Sequence, residues 1–299
     1  MAVLSTIAAV EAKPFGDSLV DGLRELGWVK GRNLIVDARY SDGDRSRLPA
    51  LAGELLALKP DVFLAATDHA AKAAAAISNS TPIVFVVGAD PVGIGLVQSL
   101  AHPGVNATGF SEQIYELVPK RVFFLREALP KLATLAVLEY GEGGPGAQQS
   151  LSGIASAART LGIGMLHIQV DTPEELAPAF ESWARQGLLG FITVPNIWFF
   201  RGKIIQQINA LALKYRIGTC TSAVERVESG SLMSYGVNYI ALFRRSATLV
   251  DRILKGADPA RIPVEQANVY ELVLNKRTAG AIGITFPSSL LLQATRVIE

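Results

Sequence analysis

The chain has one cysteine, Cys220. No internal disulfide can form, and no Cys/His set has the spacing of a zinc site. Cys220 closes an apolar, strand-like segment and reads as a small buried hydrophobe rather than a reactive thiol. No apolar run reaches the ~18 residues that span a bilayer. No block of like charge occurs either: 28 Lys and Arg face 27 Asp and Glu, a formal net charge of +1. A nucleic-acid or membrane-surface role therefore has no electrostatic footprint. The stretch Met1 to Val10 lacks a basic segment and meets Glu11 at once. It reads as a strand, Ala2-Val3-Leu4, entering a loop at Ser5-Thr6, and not as a signal peptide. If the protein is exported, the signal is expected to have been removed.

Catalytic motifs are missing as well. Gly93-Ile94-Gly95 lacks a third glycine and falls in an expected helix after Asp90, so it is no dinucleotide fingerprint. The glycine-rich stretch Gly141 to Gly146 has no Lys-Ser/Thr behind it and reads as a turn, not a phosphate loop. No Gly-x-Ser-x-Gly elbow occurs. The histidines are dispersed: His102 reads as a surface turn, His167 as structural in a strand. We expect no catalytic residue, no metal and no cofactor, and hence no enzyme.

What is present is core material. Of 299 residues, 49% are hydrophobic and 18% charged, enough for two lobes with a core each. Short apolar runs at Val3, Ile35, Val62 to Leu64 and Ile83 to Val87 alternate with helical patterns at Phe15 to Leu26, Arg47 to Leu58 and Ala70 to Ile77. Leu48, Leu51, Leu55 and Leu58 give one helix an apolar face. Alternating strands and helices imply parallel sheets covered on both sides. The plan then repeats: Ala136-Val137-Leu138 echoes Ala2-Val3-Leu4, and 32 positions separate both Val3 from Ile35 and Ala136 from Ile168. Each interval holds a helix ending in Leu-Gly, at Leu26-Gly27 and Leu161-Gly162. Further strands follow at Gly190 to Val194 and Ile217 to Cys220. The expected fold is α/β, two similar Rossmann-like lobes: residues 1–109 with 237–263, and 110–236 with 264–299. Gly109 and Tyr235-Gly236 are the expected crossings between them.

Such sheets bind ligands at the carboxyl ends of their strands. Position alone therefore nominates Ser5, Thr6, Thr67, Asp68, His69, Gly88, Asp90, Glu139, Tyr140, Pro195, Asn196, Trp198 and Ser222, with Tyr235 and Asn238 near a crossing. Each has a plainer reading. Asp68 and Asp90 are placed to cap helices, Asp90 with a proline at the first helical position. His69 opens a helix and is either a ligand contact or a solvated first-turn residue. In Trp198-Phe199-Phe200, one phenylalanine suits the core and Trp198 the wall of a site. Tyr239 offers a hydroxyl or fills the core.

Several segments together resemble a known family. They are Gly22 to Asn33 (GLRELGWVKGRN), Asp37 to Tyr40 (DARY), Arg47 to Ala52 (RLPALA), Pro82 to Gly88 (PIVFVVG) with Asp90 to Val92 (DPV), and Pro103 to Gly109 (PGVNATG). Later come Glu228 to Gly236 (ESGSLMSYG), Ile262 to Gln266 (IPVEQ), Glu271 to Asn275 (ELVLN) and Gly283 to Pro287 (GITFP). In order and over nearly the whole chain, they resemble the ABC transporter substrate-binding proteins of the TrpX-like group. The resemblance implies a type I periplasmic binding protein with three hinge crossings, outside the cytoplasm. It implies a small-molecule solute, first an amino acid or small aromatic compound, and a membrane permease as partner. A monomer is expected, with no nucleic acid. The alternative is a sensing domain of the same fold that signals to a partner protein. The chain departs from the family's usual pattern at Asp68, where a small or hydroxyl residue is common, and at Asn196 and Asn238, where Asp is. Fewer carboxylates in the second lobe suit a ligand less zwitterionic than an amino acid, unless Glu139 or Glu225 meets an ammonium group.

Overall fold

The computed structural model describes residues 1–78, 80–141 and 146–299, residue 200 by its backbone alone. These form two compact units, Met1–Gln113 with Tyr239–Asn268 and Ile114–Asn238 with Val269–Glu299, so the chain passes between units three times. The passages fall after residues 113, 238 and 268, against 109, 236 and 263 in the sequence reading.

The chain opens with β1 (Ala2–Ser5), α1 (Ala9–Glu25), β2 (Asp37–Tyr40), α2 (Leu48–Ala57), β3 (Phe63–Ala66), α3 (Asp68–Ile77), β4 (Ile83–Val87) and β5 (Ala107–Ser111). Next come α4 (Val118–Ala128), β6 (Thr134–Tyr140), α5 (Ala147–Thr160), β7 (Gly164–Val170), α6 (Leu176–Arg185) and β8 (Gly190–Thr193). Then follow α7 (Gly202–Tyr215), β9 (Gly218–Thr221), α8 (Val224–Glu228), β10 (Met233–Val237), α9 (Tyr239–Leu254) and β11 (Glu265–Gln266). The chain closes with β12 (Tyr270–Asn275), α10 (Lys276–Ala281), α11 (Ser288–Gln293) and β13 (Arg296–Ile298).

The first unit's sheet runs β11-β5-β4-β3-β1-β2, every pair parallel. Its central strands are buried on both faces, which is why β3 and β4 are unbroken apolar runs. Leu48, Leu51 and Leu55 of α2 pack on Leu4, Phe63, Ala65 and Phe85. Each fully buried leucine there contributes roughly 2 kcal/mol. Leu58 does not join them. It lies just past the end of α2 and is exposed. On the other face α1 packs on α9, with Phe15 5.4 Å from Phe243. Gly22 permits that approach, because a Cβ there would lie 2.6 Å from the Arg244 carbonyl.

The second unit's sheet runs β13-β12-β10-β9-β8-β6-β7, with β12 antiparallel to β10. Side chains alternate across it: Leu135 and Val137 enter one cluster with Val122, Leu125 and Ile192, while Ala136 and Leu138 enter another with Phe180, Trp183 and Phe191. Buried Cys220 joins the first cluster, and burial raises its thiol pKa to about 12, so it is inert.

The sheets share one plan. The first five strands of each unit stand in the order 2-1-3-4-5. The Leu-Gly helix ends are also shared: Gly27 and Gly162 both take left-handed φ, +94° and +64°, stopping α1 and α5 in the same way. The matched spacing of 32 does not hold. Val3 pairs with Ala38, and Ala136 with Leu166. Ile35 is no strand residue but a loop residue, 75% exposed. Apolar character alone placed it in a strand, and the half-buried β2 is polar instead. Gly109 and Gly236 are not the crossings. Both sit inside strands, where a Cβ would lie 2.1 Å from the carbonyls of Phe85 and Ser222 respectively. Close backbone approach, not hinge freedom, calls for glycine there. Residues 93–95 are turns, not helix. Residues 142–145 of the glycine-rich stretch lie outside the described residues.

Candidate functional site

In a 2-1-3-4-5 sheet the chain leaves the first strand toward one edge and later returns to build toward the other. Between the first and third strands the loops part, and that switch point is where such folds bind ligands. In the first unit it lies between β1 and β3 and in the second between β6 and β8.

At the first switch point, the Thr6 and Thr67 hydroxyls hydrogen-bond at 2.7 Å. Ser5 and Thr6 are buried. Thr67 has φ +114°, a conformation that costs a β-branched residue roughly 1–3 kcal/mol. It is held there from several sides. Its N–H donates to the Val86 carbonyl, its carbonyl receives the Ala71 N–H, and its Oγ1 receives the Ala70 N–H. Thr67, not Asp68, is therefore the N-cap of α3. The buried Asp68 carboxylate turns to the next loop and accepts the N–H groups of Gly88 at 2.8 Å and Ala89 at 3.1 Å. The Asp68 side chain thus ties the loop after β3 to the loop after β4. His69, half-buried behind it, has its pKa lowered by burial, with Arg45 adding repulsion, so the neutral ring is favoured. Asp90 is exposed and spends both oxygens on its own turn, accepting from Val92 and Gly93 at 3.0 Å each.

At the second switch point the chemistry is aromatic. The Tyr140 ring lies flat on Trp198, centroids 3.8 Å apart and planes 3° apart. Asn196 fixes both: it donates to the Tyr140 carbonyl at 3.2 Å and accepts the Trp198 N–H at 2.9 Å. Trp198 is only 3% exposed and belongs to the core with Phe199, so it backs the site rather than walling it. Tyr140 is the half-exposed ring. Pro195 and Ser222 are buried in the same edge. Glu139 is buried and bonded to His167 at 2.8 Å. Asn238 donates to Glu271 at 2.9 Å. Tyr235 is core, 4.8 Å from Phe124 and 5.9 Å from Tyr270 by ring centroids. The Glu225 carboxyl has its pKa raised by burial.

Two groups escaped the sequence reading. Glu112, the residue after β5, is buried and accepts the Tyr239 hydroxyl at 2.8 Å. Its place directly after a strand was a signal of the kind used for the other candidates. Arg121, buried inside α4, donates to the Tyr235 carbonyl at 2.8 Å, and no local pattern marks it. Among the described residues no group of three or more His, Cys, Asp or Glu could hold a metal ion, and no helix is long and apolar enough to cross a membrane.

Two parallel-stranded units of this order, joined by three passages of the chain, define a type I periplasmic binding protein fold. A conserved domain protein from Vibrio cholerae has it: TM-score 0.87, 27% identity, 99% of this chain and 98% of that one. So does an ABC domain in complex with L-Trp from Streptococcus pneumonia, with TM-score 0.87, 23% identity and the same coverage. A tyrosine-binding protein of Clostridioides difficile is 23% identical over 88% of this chain and 74% of its own length. Residues 3–298 match the family model for ABC transporter substrate binding proteins, and the chain belongs to that family.

Proposed function

We propose that this protein is the solute-binding component of an ABC importer, working outside the cytoplasm, and that its ligand is an aromatic amino acid or a similar small aromatic compound. The two units close about the ligand by bending at the three chain passages, and the closed form is what a membrane permease accepts. The observation that carries the reading is the pair of switch points. One offers the part-exposed Thr67 hydroxyl, bonded to the buried Thr6, and the other the flat ring of Tyr140 braced by Trp198 and Asn196. Hydroxyls suit a ligand's polar end and a ring suits its flat end. The ligands named for two similar proteins, L-Trp and tyrosine, support the aromatic choice.

Closure follows from differential binding. A ligand shifts the open–closed balance only as far as contacts with both units favour the closed form. No step of chemistry is needed, and the Asp68, Glu139 and Asn238 side chains are already engaged within the protein. An ammonium group would look to Glu225, whose carboxyl is not among those engaged side chains.

Isothermal titration with L-tryptophan and L-tyrosine tests the reading, alongside native mass spectrometry of the protein as purified. Saturable one-to-one binding of one of them, or of a co-purified aromatic solute, is expected. A co-purified solute without an aromatic ring would overturn the ligand class. Loss of uptake of that solute in cells lacking the gene separates transport from sensing.

A further inference from the structure

Besides the first switch point, which it meets at Ser5 and Ala66, the first unit contains a groove of about 240 Å³ between α1 and the face of β1, β2 and β3. Its floor is Val3, Ala38 and Leu64, its roof Ala12, Gly16 and Val20. It runs from Ser5 and Ala66 at the carboxyl end of the strands to Val36 and Lys30 at the other, roughly three strand residues or ~10 Å. The groove exists because Gly22 lets α1 pack close on α9 while Ala9, Ala12 and Gly16 leave space over the sheet, and Phe15, Leu19 and Phe243 also line it.

Gly16 is the telling residue. It sits mid-helix, where alanine is the better helix former. A Cβ there would meet nothing within 4 Å, and its φ is not left-handed, so the fold itself makes no demand for glycine. At Gly22, two turns on, a Cβ would collide with α9. The charge in the groove is lopsided. Lys13 and Asp17 pair with each other, whereas no ion pair among the described residues holds Lys30.

We propose that this groove is a second binding site, taking a medium-chain aliphatic monocarboxylate with its chain of about eight carbons along the Val3–Ala38–Leu64 floor and its carboxylate at Lys30. An apolar trough of this length with one unpaired cation at its end matches such an ion better than a zwitterion or a sugar. The site lies wholly within the first unit and does not depend on the function proposed above.

Titration of the full chain with hexanoate, octanoate and octan-1-ol tests it. Octanoate is expected to bind one-to-one. Each added methylene should improve affinity about fourfold until the groove is full, and octanol or the Lys30→Gln variant should lose a few-fold relative to octanoate on the native protein. Gly16→Ala should weaken octanoate and Gly16→Leu abolish its binding. Ala38→Val, on the opposite wall, should weaken it independently should Gly16→Leu fail to fold. No binding of octanoate, undiminished binding by Gly16→Ala and Ala38→Val, or equal binding of octanol would each overturn the proposal.

Discussion

The two units carry the same strand order and opposite chemistry at the same place. Where the first unit sets Thr6 against Thr67, the second sets Tyr140 against Asn196. In both, a side-chain hydrogen bond spans the gap between the first and third strands. In the first unit that bond joins two hydroxyls, Thr6 wholly buried and Thr67 on a strained backbone. In the second it holds an aromatic ring flat on an indole. A repeated strand order can thus keep its core pattern while its loops differ, because the core answers to burial and surface loops do not. The bracing differs too. The first edge is locked by a carboxylate, Asp68, that accepts two backbone N–H groups. The second is locked by an amide, Asn196, that donates and accepts.

The largest effect expected from breaking this contrast is on stability. Asp68→Ala strands the N–H groups of half-buried Gly88 and buried Ala89 and should cost about 3 kcal/mol in a denaturant melt. A loss under 1 kcal/mol would mean water replaces the carboxylate and the lock is incidental. On the second edge, Tyr140→Ala should cost about 1–2 kcal/mol of stability through its lost stack on Trp198 and weaken an aromatic ligand about tenfold, ~1.4 kcal/mol, by titration calorimetry. Unchanged affinity would move the ligand away from the β6–β8 gap.

Thr67→Ala should cost about 1 kcal/mol, since α3 loses its N-cap. Thr67→Gly sharpens the point: it also loses the cap but relieves the strain at φ +114°, so it should be the more stable of the two. The reverse order would argue that the conformation is unstrained.

The first edge also titrates. The folded state holds His69 neutral, with its pKa below 6.5. That contribution is intact above 6.5 and is lost as pH falls through the lowered value, because the unfolded chain binds the proton first. The melting temperature of the native protein should therefore fall more steeply below pH 6.5 than that of His69→Gln. Parallel curves would contradict the half-buried placement of this ring.

How much of this was readable in advance followed a physical divide. Ile83–Val87 is a strand with the bounds its apolar run gives, because strands buried on both faces announce themselves by composition. Leu26-Gly27 and Leu161-Gly162 stop helices because a left-handed residue is a local requirement. Ile35 misled, since an exposed loop can carry an isoleucine at no structural gain. Asp68 misled for a different reason. Capping is a local motif, but its real partners lie 20 and 21 residues away and meet it only when β3 and β4 pair. The Tyr140–Trp198 stack is equally invisible before β6 and β8 are set side by side. The positions of the candidates could be read from topology, then, while the partners that engage them could not.

The claim that both edges grip one ligand is tested most directly by small-angle scattering during a titration with the solute that binds. The account predicts that the radius of gyration shrinks in step with one-to-one occupancy and that Tyr140→Ala shifts the whole curve to higher concentration. Tight binding at constant radius, with Tyr140→Ala indistinguishable from the native protein, would contradict it.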